Sequence, residues 1–349
     1  MLTPVAPQGA ALPWSGEVNM ADVAARAGVS IATVSRALRD VKGVSPATRE
    51  RVREIAAELS YVVSPEASAL ARKAKGRIAV VVPRIDIWFY SAMLAGIEEC
   101  LRAEGVDTLV YQVHGEAQRS RFFEELPARR KVDAVVLVAL PMTHAEVGRL
   151  DTMGVHVVVA GGRVRDLPRV DVDELGVTRT AIEHLLGLGH RRIAMLRTDD
   201  TEGTSWSSDV ARRRGFQETM AARGLPVPDD YIVTEPYGPT AGVHGMERIL
   251  QLDPRPTAVF AFSDEIAIGA LQTLGRRGIA VPGGMSVIGV DGHPLAEAFR
   301  LTTVSQRVEA QGRRAGQMAI GLVRGVEQRV RQVVQAELVV RGSTGPPGG

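Results

Sequence analysis

The chain has 349 residues, enough for two or three domains, and 45% of them are hydrophobic, which indicates a globular protein with a sizeable core. No apolar run reaches about 18 residues, and the N-terminal stretch lacks the basic start and apolar block of a secretory signal, so we expect a cytoplasmic protein without a membrane segment. The single cysteine, Cys100, excludes an internal disulfide and a cysteine-rich zinc site. The net charge is +2, but residues 1–76 hold ten Lys or Arg against seven Asp or Glu, a modest excess that permits contact with nucleic acid.

Residues 22–38, DVAARAGVSIATVSRAL, contain two short helical patterns separated by a glycine. Gly28 can end the first helix in a left-handed conformation, and Ser30 can cap the second by accepting the backbone N–H of Thr33. Helices of about two turns are marginal alone, so they must pack tightly on each other or on a third element. This pattern predicts a helix-turn-helix.

A third helix is predicted to follow, with Ser45 as its N-cap and Pro46 at its first position. Residues 18–62 are therefore predicted to form a three-helix unit, preceded by a disordered leader at residues 1–17. The next segment, residues 63–76, carries a short helical pattern that has no core of its own and is predicted to be a hinge helix or a plain linker.

From residue 77 onward, apolar strand patterns alternate with helical ones, which predicts a parallel sheet covered on both faces. The plan then repeats, since GIEECLRAEGV at residues 96–106 has a counterpart in GFQETMAARGL at residues 215–225, and DAVVLVAL has one in TAVFAFSD. We therefore expect an α/β protein with two tandem Rossmann-like halves and a ligand in the cleft beyond the carboxyl ends of the strands.

The ordered segments DVAARAGVSIATVSRAL, VSPATRERV, ELSY, LGHRRIA, SDEIAIGAL, SVIGVDG and LTTVSQ resemble the LacI (lactose repressor and galactose repressor) family of bacterial transcription regulators over about residues 18–345. The resemblance implies a DNA-binding headpiece, a hinge helix and an effector domain of the periplasmic-binding-protein type. It also implies a homodimer on a pseudopalindromic operator, with a small molecule in the cleft changing the affinity for double-stranded DNA.

On this basis the effector-binding and dimerisation domain is predicted to span residues 77–341, followed by a tail at residues 342–349. It divides into an N-subdomain (77–163 and 307–328) and a C-subdomain (164–306 and 329–341).

The second helix has one face suited to the major groove. At about 100° per residue, Val34 and Leu38 face the core, while Ala32, Thr33 and Arg36 lie on the other side. Arg36 can donate two hydrogen bonds to guanine O6 and N7. The family implies base contacts by Ile31, Ala32 and Arg36, and phosphate contacts by Ser30, Thr33, Ser35 and Thr48.

Leu70 lies on the predicted hinge helix, where an exposed leucine has little reason to exist. It matches the leucine that the family wedges into the minor groove at the centre of the operator. The alternative is ordinary packing against the effector domain. Val63-Ser64 departs from the Pro-Asn that usually precedes this helix in the family, although Ser64 can still cap it.

Aromatic and polar side chains follow several of the predicted strands, an arrangement typical of a sugar site. By resemblance and position, the effector-site candidates are Trp88, Phe89, Tyr90, Ser263, Asp264, Asp291 and Gln306. Asp264 has the alternative of capping the following helix, and Trp88 that of ordinary core packing.

Three positions depart from the family's sugar-clamping residues. Ile87 stands where Asn is common, Gly161-Gly162 where Asp-Arg is common, and Val210 where an arginine is common. We therefore expect a different, larger or reoriented ligand, or none, and name Arg163 and Arg212 as substitutes.

The chain has no GxSxG, Walker A, HExxH or paired-cysteine motif, so no catalytic residue, cofactor or metal is predicted. The predicted function is a repressor of carbohydrate uptake or metabolism genes. One alternative is a sugar-binding protein without a DNA role. Another is a corepressor-dependent regulator of non-sugar metabolism, because the sequence does not set the sign of the effector's action.

Overall fold

The computed structural model describes residues 19–38, 40–59, 61, 76–125, 131–140, 142–151, 154–164, 167–199, 207–238, 240–326 and 330–348. The chain divides into two compact units, residues 1–75 and 76–349. The predicted leader and the predicted hinge helix, with Leu70, lie outside the described residues.

The first unit contains the three predicted helices, α1 (Met20–Ala27), α2 (Ile31–Leu38) and α3 (Pro46–Glu58). Val23, Ala27 and Val34 are buried where the helices meet, together with Val52 of α3. The small side chain of Ala27 permits the close crossing of α1 and α2 that the sequence predicts.

The second unit begins with a run of alternating strands and helices. These elements are β1 (Arg77–Val82), α4 (Trp88–Ala103), β2 (Asp107–Gln112), α5 (Gly115–Glu125), β3 (Ala134–Val138), α6 (His144–Asp151), β4 (His156–Ala160) and β5 (Arg169–Asp171). The plan then repeats with α7 (Glu174–Gly187), β6 (Ile193–Asp199), α8 (Ser207–Ala221), a 3₁₀ turn (Asp229–Tyr231), β7 (Ile232–Pro236), α9 (Ala241–Ile249), β8 (Ala258–Ala261), α10 (Asp264–Arg276), β9 (Ser286–Asp291), α11 (Leu295–Ala298) and β10 (Thr302–Ser305). The chain ends with α12 (Val308–Val323), β11 (Arg331–Val333) and β12 (Glu337–Val339).

Two six-stranded sheets result, and their strand orders correspond. The first is β11-β5-β4-β3-β1-β2 and the second is β12-β10-β9-β8-β6-β7. All pairs are parallel except β10 with β12. We call the sheets with their covering helices the first lobe and the second lobe. The predicted repeat is confirmed, because the matching sequence segments occupy equivalent helices and strands of the two lobes.

Strand pairing differs from the predicted subdomain boundaries. Arg169–Asp171 and Arg331–Val333 pair with each other and join the first sheet, although the sequence assigned both to the C-subdomain. Each strand has only three residues, too few to show a pattern of its own. The prediction that both faces of the sheet are covered is wrong for the edge strand β2, where Val110 is 46% exposed.

Residues 342–348, which the sequence analysis assigns to a tail, are hydrogen-bonded to the second lobe. The Ser343 hydroxyl donates to the Val287 carbonyl over 2.6 Å and accepts the Thr302 N–H over 2.8 Å. The buried His190 donates through Nε2 to the Gly345 carbonyl over 2.8 Å. These bonds tie the segment to the second lobe.

The chain crosses between the lobes three times, after β5, after β10 and after β11. The crossings lie side by side. The Val334 N–H donates to the Asp171 carbonyl over 2.8 Å, and Arg307 pairs with Glu337 over 2.5 Å. We call these three adjacent connections, which follow β5, β10 and β11, the crossing segments.

Helices α4 and α12 touch through their backbones. A Cβ on Gly96 would overlap the Glu309 carbonyl, and one on Gly312 would overlap the Met93 carbonyl. In the second lobe, α9 and α10 meet in the same way at Gly242 and Gly269. The glycines allow these helices to approach more closely than any side chain would permit.

Replacing Gly312 tests this contact. We expect Gly312→Ala to lower the free energy of unfolding of the full chain by about 1–3 kcal/mol, because the new methyl group has no room. Gly275→Ala is the matched control, since nothing lies within 4 Å of a Cβ at that helical position. The control should gain about 0.4–1 kcal/mol. Equal denaturant midpoints for the two variants would contradict the assignment.

Candidate functional site

Helix α1 is closed at both ends by local chemistry. The Asn19 side chain accepts the N–H groups of Ala21 and Asp22. The Asp22 carboxylate in turn accepts the Asn19 N–H over 2.8 Å. Gly28 ends the helix at φ +64°, a conformation that glycine adopts at no steric cost. The turn therefore sets the direction in which α2 begins.

Helix α2 begins as predicted, with the Ser30 hydroxyl accepting the Thr33 N–H over 3.2 Å. Ile31, 52% exposed, and the exposed Ala32 and Arg36 share its outer surface, while Val34 and Ala37 are buried. Of the predicted phosphate contacts on this helix, Thr33 and Ser35 are half-buried and Ser30 is exposed. The predicted outer face is thus the exposed one, and Leu38, predicted to face the core, is half-buried and packs against it.

Helix α3 repeats the same cap. The Ser45 hydroxyl accepts the Thr48 N–H over 3.2 Å and pairs with the Thr48 hydroxyl over 2.8 Å. Asp40 ties the preceding loop to α3 through Arg49 and Arg53, each over 2.8 Å. Two helix N-termini that carry hydroxyl groups suit phosphate contact, because their backbone N–H groups and dipoles favour anions.

The second unit encloses a cavity of about 240 Å³ between its two lobes. The lining comes from segments that follow β1, β3 and β4 in the first lobe and β6, β7, β8 and β9 in the second, together with the start of α7. This is the crevice at the carboxyl ends of parallel strands, where ligands of open α/β sheets bind.

Six of the nine predicted effector residues line this cavity, namely Phe89, Tyr90, Arg163, Arg212, Ser263 and Asp291. The other three, Trp88, Asp264 and Gln306, do not line it. Gln306 contacts the lining residue Asp291, and Trp88 and Asp264 both contact His293.

Arg212 is held rigidly in the cavity wall. Its guanidinium donates to Glu174 over 2.8 Å and to the Phe262 carbonyl over 2.5 Å, and it lies 4.5 Å from the centroid of the Phe262 ring. Burial lowers the pKa of Arg212, but the negative charges of Glu174 and Asp291 outweigh that effect and raise it. The group is therefore a permanent, fixed cation.

Asp291 ends β9 at φ +125°, a strained conformation for a residue with a side chain. Gln306 donates to its carboxylate over 2.6 Å, and Gln311 in turn donates to the Gln306 carbonyl over 2.9 Å. Burial raises the pKa of Asp291 well above its usual value, Arg212 opposes that rise, and Asp264 adds to it. Gln306 thus positions a carboxyl group that holds its proton unusually tightly.

Asp264 lies behind the cavity wall and is fully buried. One of its oxygens accepts the N–H groups of Gly292 and His293 over 2.9 and 2.8 Å, which fixes the loop after β9. Its helix is capped by Ser263 instead. Asp264 therefore shapes the site without facing it.

Trp88 bridges the lobes at the edge of the cavity. Its ring lies 4.8 Å from the ring of His293, which belongs to the second lobe. The His293 Nδ1 accepts the Leu295 N–H over 2.9 Å, so the neutral ring carries its proton on Nε2. Burial lowers the pKa of His293.

Comparison with known proteins identifies the chain. Residues 19–64 match the family model of bacterial regulatory proteins of the lacI family, and residues 182–344 match that of the periplasmic binding protein-like domain. The transcriptional regulator DegA of Bacillus subtilis is 31% identical over 333 residues, covering 93% of this chain and 97% of DegA. The chain belongs to the lacI family. It is a DNA-binding regulator of transcription.

Solved structures of lacI-family members agree with this fold. A complex of the transcriptional regulator CelR with cellobiose is 30% identical, covers 93% of this chain and 99% of its own, and superposes with a TM-score of 0.69. A lac repressor dimer bound to operator and the anti-inducer ONPF is 24% identical, covers 95% and 100% of the two chains, and has a TM-score of 0.83.

Several cavity residues of this lacI-family chain are absent from the sequence-based prediction. Tyr237 follows β7, and its hydroxyl donates to Glu265 over 2.9 Å. Its position directly after a strand could have identified it as a cavity residue from the sequence. Glu174 and Ser208 also line the cavity, but each is an ordinary polar residue at the start of a helix. Within the described ranges, no helix is long and apolar enough to cross a membrane, and no cluster of His, Cys, Asp or Glu is arranged to hold a metal.

The buried carboxyl of Asp264 predicts a pH-dependent stability. Burial raises its pKa to about 7 from the usual 3.8, so the folded protein holds this proton more tightly than the unfolded chain does. The stabilisation from this group is complete below pH 3.8 and is lost as pH rises through about 7. We expect denaturant titrations between pH 5 and 8 to show a smaller decline in the free energy of unfolding for Asp264→Asn than for the unaltered chain. An identical slope would contradict the prediction.

The Trp88 contact predicts a shifted histidine titration. Because burial lowers the pKa of His293, Trp88→Ala should move that pKa upward, toward the ordinary value of 6.5. The measurement is an NMR titration of the histidine ring protons, with His293→Gln assigning the resonance. Phe299→Ala, a change at an exposed aromatic side chain elsewhere in the second lobe, should leave the titration unchanged. An unmoved His293 pKa in Trp88→Ala would show that the ring is not covered in solution.

Proposed function

We propose that this chain is a homodimeric repressor of carbohydrate uptake or metabolism genes, acting in the cytoplasm on a two-fold symmetric operator. A sugar or sugar derivative in the cavity between the lobes changes its affinity for DNA. The observation that carries the DNA-binding part is the exposed face of α2, where Ile31, Ala32 and Arg36 stand together on a capped, closely packed helix.

The chemistry of that face favours contact with base edges. Arg36 is the donor-rich side chain and suits guanine O6 and N7, while Ile31 and Ala32 carry no donor and suit thymine methyl groups. Phosphate contacts are proposed for the hydroxyl residues Ser30, Thr33, Ser35 and Thr48. Insertion of Leu70 into the minor groove stays a prediction, because that residue lies outside the described ranges.

Dimerisation is part of this proposal because one recognition helix has a small reach. A single α2 spans 8 residues and contacts a few base pairs, whereas two copies in successive major grooves double the site. The lac repressor, which shares this fold, is a dimer on its operator.

The cavity supports control by a small molecule. It combines aromatic surface from Phe89 and Tyr90 with fixed polar groups from Arg212, Ser263 and Asp291. The related CelR binds cellobiose. Arg212 is proposed as the cation that replaces the family's usual clamping residues, whereas Arg163 is exposed and is assigned to the rim. A ligand that contacts both lobes favours the arrangement of the lobes in which it makes the most contacts, and so shifts the population of the DNA-binding state.

The deciding experiment is fluorescence anisotropy of the purified protein on DNA from upstream of its own gene, against a scrambled duplex at fixed salt. Mono- and oligosaccharides are added to the same wells. Selective binding that one sugar weakens supports an inducer, and selective binding that it strengthens supports a corepressor. If no fragment is preferred while circular dichroism shows folded helices, the chain does not recognise an operator.

Arg36→Ala tests the assigned base contact. We expect a loss of about 1–3 kcal/mol in operator affinity, while binding to scrambled DNA changes little, because a base contact carries the specificity. Arg26→Ala is the charge-matched control, since Arg26 is exposed on α1 and pairs with Glu58 over 3.5 Å. The control should keep the ratio of specific to non-specific affinity. Full operator affinity in Arg36→Ala would remove Arg36 from the interface.

A further inference from the structure

A charge cluster lies in the DNA-binding unit between α2 and α3. The two carboxylate oxygens of Asp40 accept from different arginines, Oδ1 from Arg49 and Oδ2 from Arg53, each over 2.8 Å. Arg49 also donates to the Val41 carbonyl over 3.2 Å. We call Asp40, Arg49 and Arg53 the Asp40 clamp. It joins the loop that follows the proposed recognition helix to the first two turns of α3, where Thr48 is a proposed phosphate contact.

The backbone at Asp40 does not explain why a carboxylate stands there. Its φ of +54° lies in the left-handed region, which glycine adopts freely and which asparagine tolerates better than most residues. Either of those residues would therefore hold the same turn. What aspartate adds is a negative charge between two guanidinium groups. The identity of the residue is thus better explained by its charge than by the conformation of the loop.

The stability of the fold does not explain the clamp either. Its side chains are open to water, with Asp40 61% exposed, Arg53 44% and Arg49 26%. Exposed ion pairs contribute only about 0–1 kcal/mol each. The three helices are held by their buried apolar side chains, among them Val34 and Val52. The main effect of the clamp is therefore on the charge that this unit presents to its surroundings.

That charge matters because DNA is bound largely through its phosphates. Cations that neutralise phosphates release counterions, and this sequence-independent term supplies essentially all non-specific affinity. Asp40 accepts the same charge-assisted hydrogen bonds from Arg49 and Arg53 that a phosphate oxygen would accept. A phosphate must displace the carboxylate before it can pair with either arginine.

We propose that Asp40 is a positioning residue that limits sequence-independent binding to DNA, because it holds Arg49 and Arg53 in the way that a phosphate would. The proposal rests on the proposed function, which places α2 and the start of α3 against DNA. The base contacts proposed for Ile31, Ala32 and Arg36 use none of the donors in the clamp.

The test measures binding of the purified full-length chain to a scrambled duplex by fluorescence anisotropy, from about 25 to about 200 mM salt. Asp40→Asn removes the charge and keeps a residue that tolerates the left-handed conformation. We expect its affinity for the duplex at about 100 mM salt to rise about threefold or more. The slope of log affinity against log salt concentration should steepen by about one to two for each DNA-binding unit on the duplex, because up to two more cations reach phosphates.

Two further variants separate the clamp from net charge. Glu54→Gln removes one negative charge from an exposed position on the same helix, and it should change the slope by about 0.3 or less because it releases no clamped cation. In an Arg53→Gln background, the gain in affinity from Asp40→Asn should fall to about half on a logarithmic scale, because one of the two released cations is missing. Thermal melting followed by circular dichroism checks that each variant is folded.

An Asp40→Asn variant that binds the scrambled duplex no more tightly than the unaltered chain overturns the proposal. A gain equal to that of Glu54→Gln also overturns it, since net charge alone would then be the cause. Weaker binding together with a lower melting temperature would assign Asp40 a structural role in the loop and overturns it as well.

The scrambled duplex contains no operator and no sugar is added, so this test is separate from that of the repressor function. A chain that shows the Asp40 effect but selects no upstream fragment refutes the proposed function alone. A chain that selects its operator while Asp40→Asn leaves the affinity for scrambled DNA unchanged refutes the role of Asp40 alone.

Discussion

The second unit depends on a backbone-to-backbone contact between two helices that lie far apart in the sequence. Gly96 and Gly312 bring α4 and α12 together with no side chain between them. Helix α12 arrives from β10 of the second sheet and packs beneath the first, so this contact closes the first lobe with a segment that has just left the second. The same kind of contact, at Gly242 and Gly269, brings α9 and α10 together in the second lobe.

Local chemistry made the helix-turn-helix predictable. Gly28, Ser30 and Ser45 act on neighbours within a few residues, and the structure has each cap where the sequence predicts it. The longer strands were also predictable, because buried parallel strands are continuous apolar runs. The partners of β5 and β11 were not, since three residues carry no periodic signal and their pairing joins positions about 160 residues apart.

The cavity was predictable where a residue directly follows a strand and less so elsewhere. Ser263 comes just after β8 and Asp291 ends β9, and both line the cavity; Phe89, on the helix that follows β1, lines it as well. Trp88 sits one position earlier on the same helix as Phe89, and a rotation of about 100° turns its ring toward His293 instead. Gln306 and Asp264 are near the site but act through Asp291 and the loop that follows it, a distinction that depends on side-chain direction and not on sequence position.

The crossing segments affect how the two lobes can move relative to each other. Three chain segments bonded side by side resist sliding and separation, yet each is a short connection that tolerates small changes in φ and ψ. Such segments favour a rotation of one lobe relative to the other about a shared axis. In a rotation of this kind, atomic displacement grows in proportion to the distance from the axis. Atoms at the crossing segments then move little, and atoms at the outer ends of the lobes move most.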